Sequence, residues 1–197
     1  DFRFGNKAQG STAMIREFCQ THGITLHVLP DVDDAEGERV SSTRIREALE
    51  QGEVRRANAM LGRPFSYTLP VVKGNQLGRT LGTPTINQPL PDGFILPKFA
   101  IYASFAEIEG KRYEAVTNIG VKPTVGSDTV LSETWIAGFA GDLYGKRVKI
   151  ELVEFIRPEV KFDSLDELKK AILEDAEKAL SLIHISEPKR HSLISYA

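Results

Sequence analysis

A single cysteine, Cys19, stands in a chain of 197 residues. That count excludes a disulfide framework and any zinc site built from several thiolates. Cys19 falls in an amphipathic helical stretch, where a buried, inert thiol is expected. The four histidines, His22, His27, His184 and His191, show no paired ligand spacing and are expected as surface or core residues. A basic excess is also missing: 25 Lys and Arg stand against 27 Asp and Glu, a net charge of −2. This argues against a dedicated nucleic-acid binder but leaves room for a local phosphate site. No apolar run approaches the ~18–20 residues of a membrane span, and no signal-peptide pattern is present, so no membrane association and a cytoplasmic location are expected. What remains is ordinary for a globular protein, with 41% apolar and 26% charged residues. The chain opens on DFRFG without a methionine, inside what reads as a structured strand-to-loop segment, and is expected to be a fragment.

The first 62 residues have α/β texture. STAMIREFCQTHG places Met14, Ile15 and Phe18 at helical spacing and stops at Gly23. ITLHVLP alternates Ile24, Leu26 and Val28 as a half-buried strand does. After an acidic loop, VSSTRIREALEQG predicts a capped helix through Ile45, Ala48 and Leu49, ending at Gly52. EVRRANAMLG predicts another through Val54, Ala57, Met60 and Leu61, ending at Gly62. From Arg63 onward short β-rich runs separated by turn residues predict a closed or nearly closed antiparallel barrel. FDSLDELKKAILEDAEKAL then predicts a helix opened by a Ser164–Glu167 capping box. The expected domains are therefore 1–62, 63–180 and a tail, 181–197. The tail LSLIHISEPKRHSLISYA fits neither that helix nor a new element. Apart from Lys189, it resembles a translated transposon-adapter sequence and is read as non-native.

Three constellations could carry chemistry. Gly74, Gly78 and Gly82 bracket KGNQLGRTLG, where backbone N–H groups can approach an anion; a plain glycine-rich turn is the alternative. No Gly-Lys-Ser/Thr closes it as a Walker loop. In TPTIN, Thr85 and Asn87 lie two apart and project to one face of an extended segment, with Pro84 holding Thr83 extended. Their hydroxyl and amide oxygens suit Mg²⁺ with substrate phosphates, or equally a capped turn. In LSETWIAGF, Glu133 is out of phase with Thr134 and Ile136. It is either a solvated face residue or a general base facing a hydroxyl substrate.

GNQLGRTLGTPTIN, AIYASF, VTNIGVKPTVG, SETWIAGFAGDLYGKRVKIELVEFIRPEVKFDSLDEL and ILEDAEKA, in this order, resemble the riboflavin kinase module of bacterial bifunctional riboflavin kinase/FAD synthetases. Upstream, DFRFG, VSSTRIREAL and LGRPF resemble the end of the FMN adenylyltransferase domain that precedes the kinase there. The resemblance implies α+β architecture: a six-stranded antiparallel β-barrel with a C-terminal helix, after a partial Rossmann-like nucleotidyltransferase domain. It implies phosphorylation of riboflavin to FMN with ATP as co-substrate, ADP as product and Mg²⁺ as metal. Thr85 and Asn87 would coordinate Mg²⁺ and the ATP phosphates. The loop Gly74, Gly78, Gly82 would close over the nucleotide, and Arg79 would contact phosphate. Glu133 would take the proton from the ribityl 5′-hydroxyl. Asn118 would help build the flavin site, and Arg157 would belong to a mobile flavin-side loop.

Some positions depart from the family pattern. Thr83 stands where Phe is usual, Ile86 where Ala is frequent, and Ala100 where Gly is common. Ser41, Ser42, Thr43, Arg44 and Arg46 resemble the adenylyltransferase's second phosphate element at a helix N-terminus, or serve only as a helix cap. The H-x-G-H type motif of that activity does not occur in this sequence, so no FAD synthesis by this chain is expected. The alternative to a kinase is a non-catalytic flavin- or nucleotide-binding fragment. An oligonucleotide-binding barrel is disfavoured because basic and aromatic residues are not interleaved. The sequence does not fix an oligomeric state.

Overall fold

A computed structural model of the chain describes residues 3–74, 83–124, 127–160 and 164–186. They divide into two compact units, Asp1–Arg39 and Val40–Ala197. Within the first, β1 (Arg3–Phe4) and β2 (Gly10–Ser11) form a two-stranded antiparallel pair, followed by α1 (Thr12–Thr21). Ser11 caps α1 by accepting from the Met14 N–H. The expected apolar face is left uncovered within this unit, with Met14 and Phe18 both 55% exposed. Cys19 is half-buried rather than buried. The strand expected at Ile24–Val28 does not form. An isolated strand leaves its backbone N–H and C=O groups unpaired, and in this unit β1 and β2 pair only with each other.

The second unit begins with α2 (Ser42–Gln51) and α3 (Val54–Leu61). Ser41 accepts from the Arg44 N–H at 3.3 Å, and Gly52 and Gly62 end the two helices in left-handed geometry. Ala48, Leu49, Val54, Ala57 and Met60 bury in the same apolar cluster as the strands that follow. Asn58 fastens α3 further, donating to the Leu152 carbonyl and accepting from the Phe65 N–H. The compact units divide at Arg39/Val40, so that α2 and α3 group with the sheet. Burial of the apolar faces of α2 and α3 against the sheet is the reason.

Six strands follow: β3 (Phe65–Pro70), β4 (Thr85–Pro89), β5 (Ala100–Ile108), β6 (Lys111–Thr124), β7 (Ser127–Ile136) and β8 (Arg147–Pro158). They form one antiparallel sheet in the order β3-β8-β5-β6-β7-β4. The sheet curls so that its ends meet. The Val72 N–H donates to the Asn87 carbonyl at 2.8 Å, and the Gln88 amide donates to both Leu69 and Val148 carbonyls. Glu109 and Gly110 take φ of 52° and 78°, the two-residue type I′ turn that joins β5 to β6.

Alternation sorts the side chains cleanly. Tyr102, Ala106, Ile119, Ile136, Val148, Ile150 and Leu152 fill the barrel interior. Ile101, Ala103, Phe105 and Ile156 face outward and are covered by Ala179 and Ile183 of α4 (Leu165–Ser186). Ser164 caps α4 by accepting from the Glu167 N–H at 3.2 Å. The helix does not end near Leu180 as expected. It continues to Ser186, because Leu182 and Ile183 prolong the apolar face that Ala179 presents to the sheet. Residues 187–197 lie outside the described residues.

Candidate active site

β4 is a strand because Pro84 holds its entry extended and Thr85 and Ile86 are β-branched. It pairs with β7 so that Thr85 lies opposite Trp135 and Asn87 opposite Glu133. On its other side β7 pairs with β6, placing Glu133 opposite Asn118. Asn118 in turn lies opposite Ile101 of β5, and Ile101 opposite Arg157 of β8. Directly paired residues share a face of the sheet. Asn87, Glu133, Asn118, Ile101 and Arg157 therefore form one row across five strands on the outer face.

Asn87 is 5% exposed, and its Oδ1 has no hydrogen-bond partner among the described residues. Gly74 lies against this amide. A Cβ there would fall 2.6–2.9 Å from its nitrogen, carbon and oxygen, so any larger residue would push the amide aside. Thr83 is also buried, its hydroxyl without a partner among the described residues, where the family pattern has an apolar ring. An unsatisfied buried oxygen costs free energy unless a ligand or ion satisfies it. The Asn87 Oδ1 and the half-buried Thr85 hydroxyl are hard donors of the kind Mg²⁺ takes. Among the described residues no group of three or more His, Cys, Asp or Glu could hold a metal by itself. The donor set fits a Mg²⁺ that completes its shell with water and phosphate oxygens.

Thr85 and Asn87 open into a cavity of about 1020 Å³. Its far wall is the β7–β8 connection, with Phe139, Asp142, Leu143 and Tyr144, and Lys73 lies on its rim over the Tyr144 ring at 5.9 Å. The cavity thus joins oxygen donors, one ammonium and two aromatic rings, a set suited to a phosphorylated aromatic ligand.

Glu133 is half-buried. Beyond it, Asn118 donates from Nδ2 to Glu159 Oε1 at 3.2 Å, and its buried Oδ1 has no partner among the described residues. Arg157, expected in a loop, is instead the penultimate residue of β8. Its Nε and Nη2 donate to the two carboxylate oxygens of Asp175 on α4, at 2.9 and 2.6 Å. A residue paired in a ladder and held by two such bonds is fixed.

Of the expected site residues, the fold brings Thr85, Asn87, Glu133, Asn118 and Arg157 to one face and sets Gly74 beside Asn87. Gly78, Arg79 and Gly82 lie outside the described residues. Ser41 serves as the α2 cap, with Ser42, Thr43, Arg44 and Arg46 in the first turns of that helix, none of them in the row. Sequence reasoning missed Lys73, Tyr144, Asp175 and Glu159. Lys73 precedes Gly74 directly and Glu159 follows Arg157 by two, so proximity to motifs was a signal. Asp175 had none, since it is one acid among several on a charged helix.

The family model described as riboflavin kinase matches residues 61–183. The chain belongs to the riboflavin kinase family. A bifunctional riboflavin kinase/FMN adenylyltransferase of Haemophilus influenzae is 36% identical, over 91% of this chain and 58% of that protein. The Escherichia coli K12 protein of the same description is 35% identical, over 95% of this chain and 60% of its own length. The chain thus spans about three fifths of the length of these curated relatives. A crystal structure from Streptococcus pneumoniae, titled a macrolide-efflux protein, superposes with a TM-score of 0.78 at 33% identity. It covers 90% of this chain and 57% of its own. No helix among the described residues is long and apolar enough to cross a membrane. The riboflavin kinase match covers the whole six-stranded sheet and most of α4, and so includes every residue of the row.

Proposed function

We propose that this chain transfers the γ-phosphoryl group of ATP to the 5′-hydroxyl of riboflavin, releasing FMN and ADP, with Mg²⁺ as metal. The observation that carries this reading is the Asn87–Glu133 pair, a buried unpartnered oxygen beside a carboxylate on one face of the sheet. Phosphoryl transfer needs this juxtaposition: charge neutralisation on the donor and a proton acceptor on the attacking hydroxyl. ATP occupies the 1020 Å³ cavity, its base toward Phe139 and Tyr144 and its phosphates toward Thr85, Asn87 and Lys73. The loop through Gly78, Arg79 and Gly82 contributes phosphate contacts. Thr85 and Asn87 hold Mg²⁺, which when bound neutralises charge on the phosphates.

Riboflavin lies on the Asn118 side of Glu133, with the ribityl end at the carboxylate and the rings toward Arg157. The Glu133 carboxylate accepts the hydroxyl proton as the new O–P bond forms. The bond from the γ-phosphorus to the bridging oxygen breaks, and ADP leaves. Nothing in this arrangement uses nucleic acid or membrane, and the cytoplasm is the expected setting. The test is incubation of the chain with riboflavin, ATP and Mg²⁺ and separation of the flavins by chromatography. FMN formation dependent on all three is the expected result, and its absence would leave only a flavin- or nucleotide-binding module.

A further inference from the structure

The Arg157–Asp175 contact joins the candidate site to a different part of the molecule. Asp175 is 6% exposed, and its two carboxylate oxygens take the guanidinium in a fork, while Nη1 donates to the Pro158 carbonyl at 3.1 Å. A planar guanidinium held at three of its corners has one orientation. The same helix is fastened beside it by Lys178, whose ammonium donates to the Ile156 carbonyl at 3.2 Å. Its apolar contacts form a second cluster, Ile101, Ala103, Phe105, Ile156, Ala179 and Ile183, set apart from the barrel interior by the sheet itself. Ile101, whose outward face belongs to that cluster, is the residue of the row between Asn118 and Arg157.

We infer that Asp175 is a positioning residue of the active site: by fixing Arg157 it couples the docking of helix α4 to flavin binding. The inference rests on the reading of the Arg157 end of the row as the flavin side. From Glu133 to Arg157 the row crosses three strand spacings, about 14 Å, a span suited to a five-carbon chain followed by a tricyclic ring. Because Ile101, the residue between Asn118 and Arg157, is 8% exposed beneath α4, a flavin that starts at Glu133 reaches the Arg157 end only along the edge of α4. Binding that needs Arg157 in place must then favour the docked helix, and a docked helix must favour binding by the same factor.

The experiment compares the wild-type chain with Asp175→Asn and Arg157→Lys. Each variant keeps the size of the side chain and breaks the bidentate pair. Both are expected to raise KM for riboflavin on the order of tenfold, as loss of a charge-assisted fork does. KM for ATP and kcat should change less than twofold to threefold. A merely structural pair would lower the melting temperature and leave the ratio of the two KM values unchanged, and that result would overturn the inference. Backbone amide exchange in the wild-type chain gives a second measurement that needs no variant. Riboflavin at saturation is expected to slow exchange across residues 172–183, and unchanged exchange there would equally overturn the coupling. Should the wild-type chain make no FMN, the functional reading itself fails. Should it make FMN while both variants keep their riboflavin KM, only the role of Asp175 fails.

Discussion

The two faces of the barrel use similar residues for opposite ends. On the inner face, Ser104, Thr117 and Thr134 form a chain of hydroxyls at 2.8 and 2.9 Å, and Tyr67 bonds Ser132 at 2.7 Å. These are fully or almost fully buried polar groups with mutual partners, so they specify packing. On the outer face, Asn87 and Asn118, on either side of Glu133, each keep a buried amide oxygen that has no partner among the described residues. The inner hydroxyls hold the sheet together, whereas the two amide oxygens beside Glu133 are the groups that the proposed metal and substrate would use. Strand β7 alternates between the two faces, with Ser132 and Thr134 inward and Glu133 outward.

That contrast can be broken by experiment. Replacing Glu133 with Gln keeps the shape and removes the base, and kcat should fall by about 10²–10⁴-fold. Riboflavin binding by flavin fluorescence should persist; an unchanged kcat would reduce Glu133 to a surface residue. Asn87→Ala should raise the Mg²⁺ concentration needed for half-maximal rate by about tenfold or more, measured by metal titration at fixed ATP. A flat response would remove Asn87 from the metal shell.

On the inner face the same chemistry should register as stability alone. Thr117→Val withdraws the middle hydroxyl from the chain and should cost about 1–3 kcal/mol in denaturant unfolding, with both KM values unaltered. A loss of activity at equal foldedness would show that the inner face is not purely structural.

Burial raises the Tyr67 phenol well above its ordinary pKa, a shift only partly opposed by its bond to Ser132, and burial likewise raises Tyr102. Both phenols stay protonated in the folded chain where the unfolded chain has begun to ionise. The unfolded state then binds fewer protons, so stability is full below about pH 10 and falls as pH rises beyond it. Tyr67→Phe should flatten part of that alkaline decline while losing about 1 kcal/mol at neutral pH. The smallest effect is expected at Thr83, whose buried hydroxyl has no partner among the described residues. Thr83→Val should leave stability unchanged or raise it by up to about 1 kcal/mol, and a clear loss would show that the hydroxyl is bonded.

Legibility in the sequence followed the range of the interaction. Period-two alternation in SETWI separated Glu133 from Thr134 before any sheet was known, and α2, α3 and the Ser164 cap are local patterns that formed where expected. ITLHVLP shows the limit. Its alternation is as regular as that of any barrel strand, yet it pairs with nothing, because a strand also needs a neighbour to take its backbone hydrogen bonds. The end of α4 and the setting of Arg157 failed for the same reason, since both depend on which surface lies opposite.

Alternation and turn chemistry alone determined that the chain makes a small antiparallel barrel, and which side chains of each strand share a face. Alternation set Thr85 and Asn87 on one face but left them, like Glu133, open between structural and chemical roles; the resemblance to the riboflavin kinase module singled the three out. Tertiary structure alone decided that residues 87, 133, 118 and 157 stand in one row, that Gly74 closes against Asn87, and that Asp175 of a distant helix holds Arg157. A side chain's face is set by its own backbone, whereas its neighbours are set by strand register, which arises only when segments far apart in sequence pair.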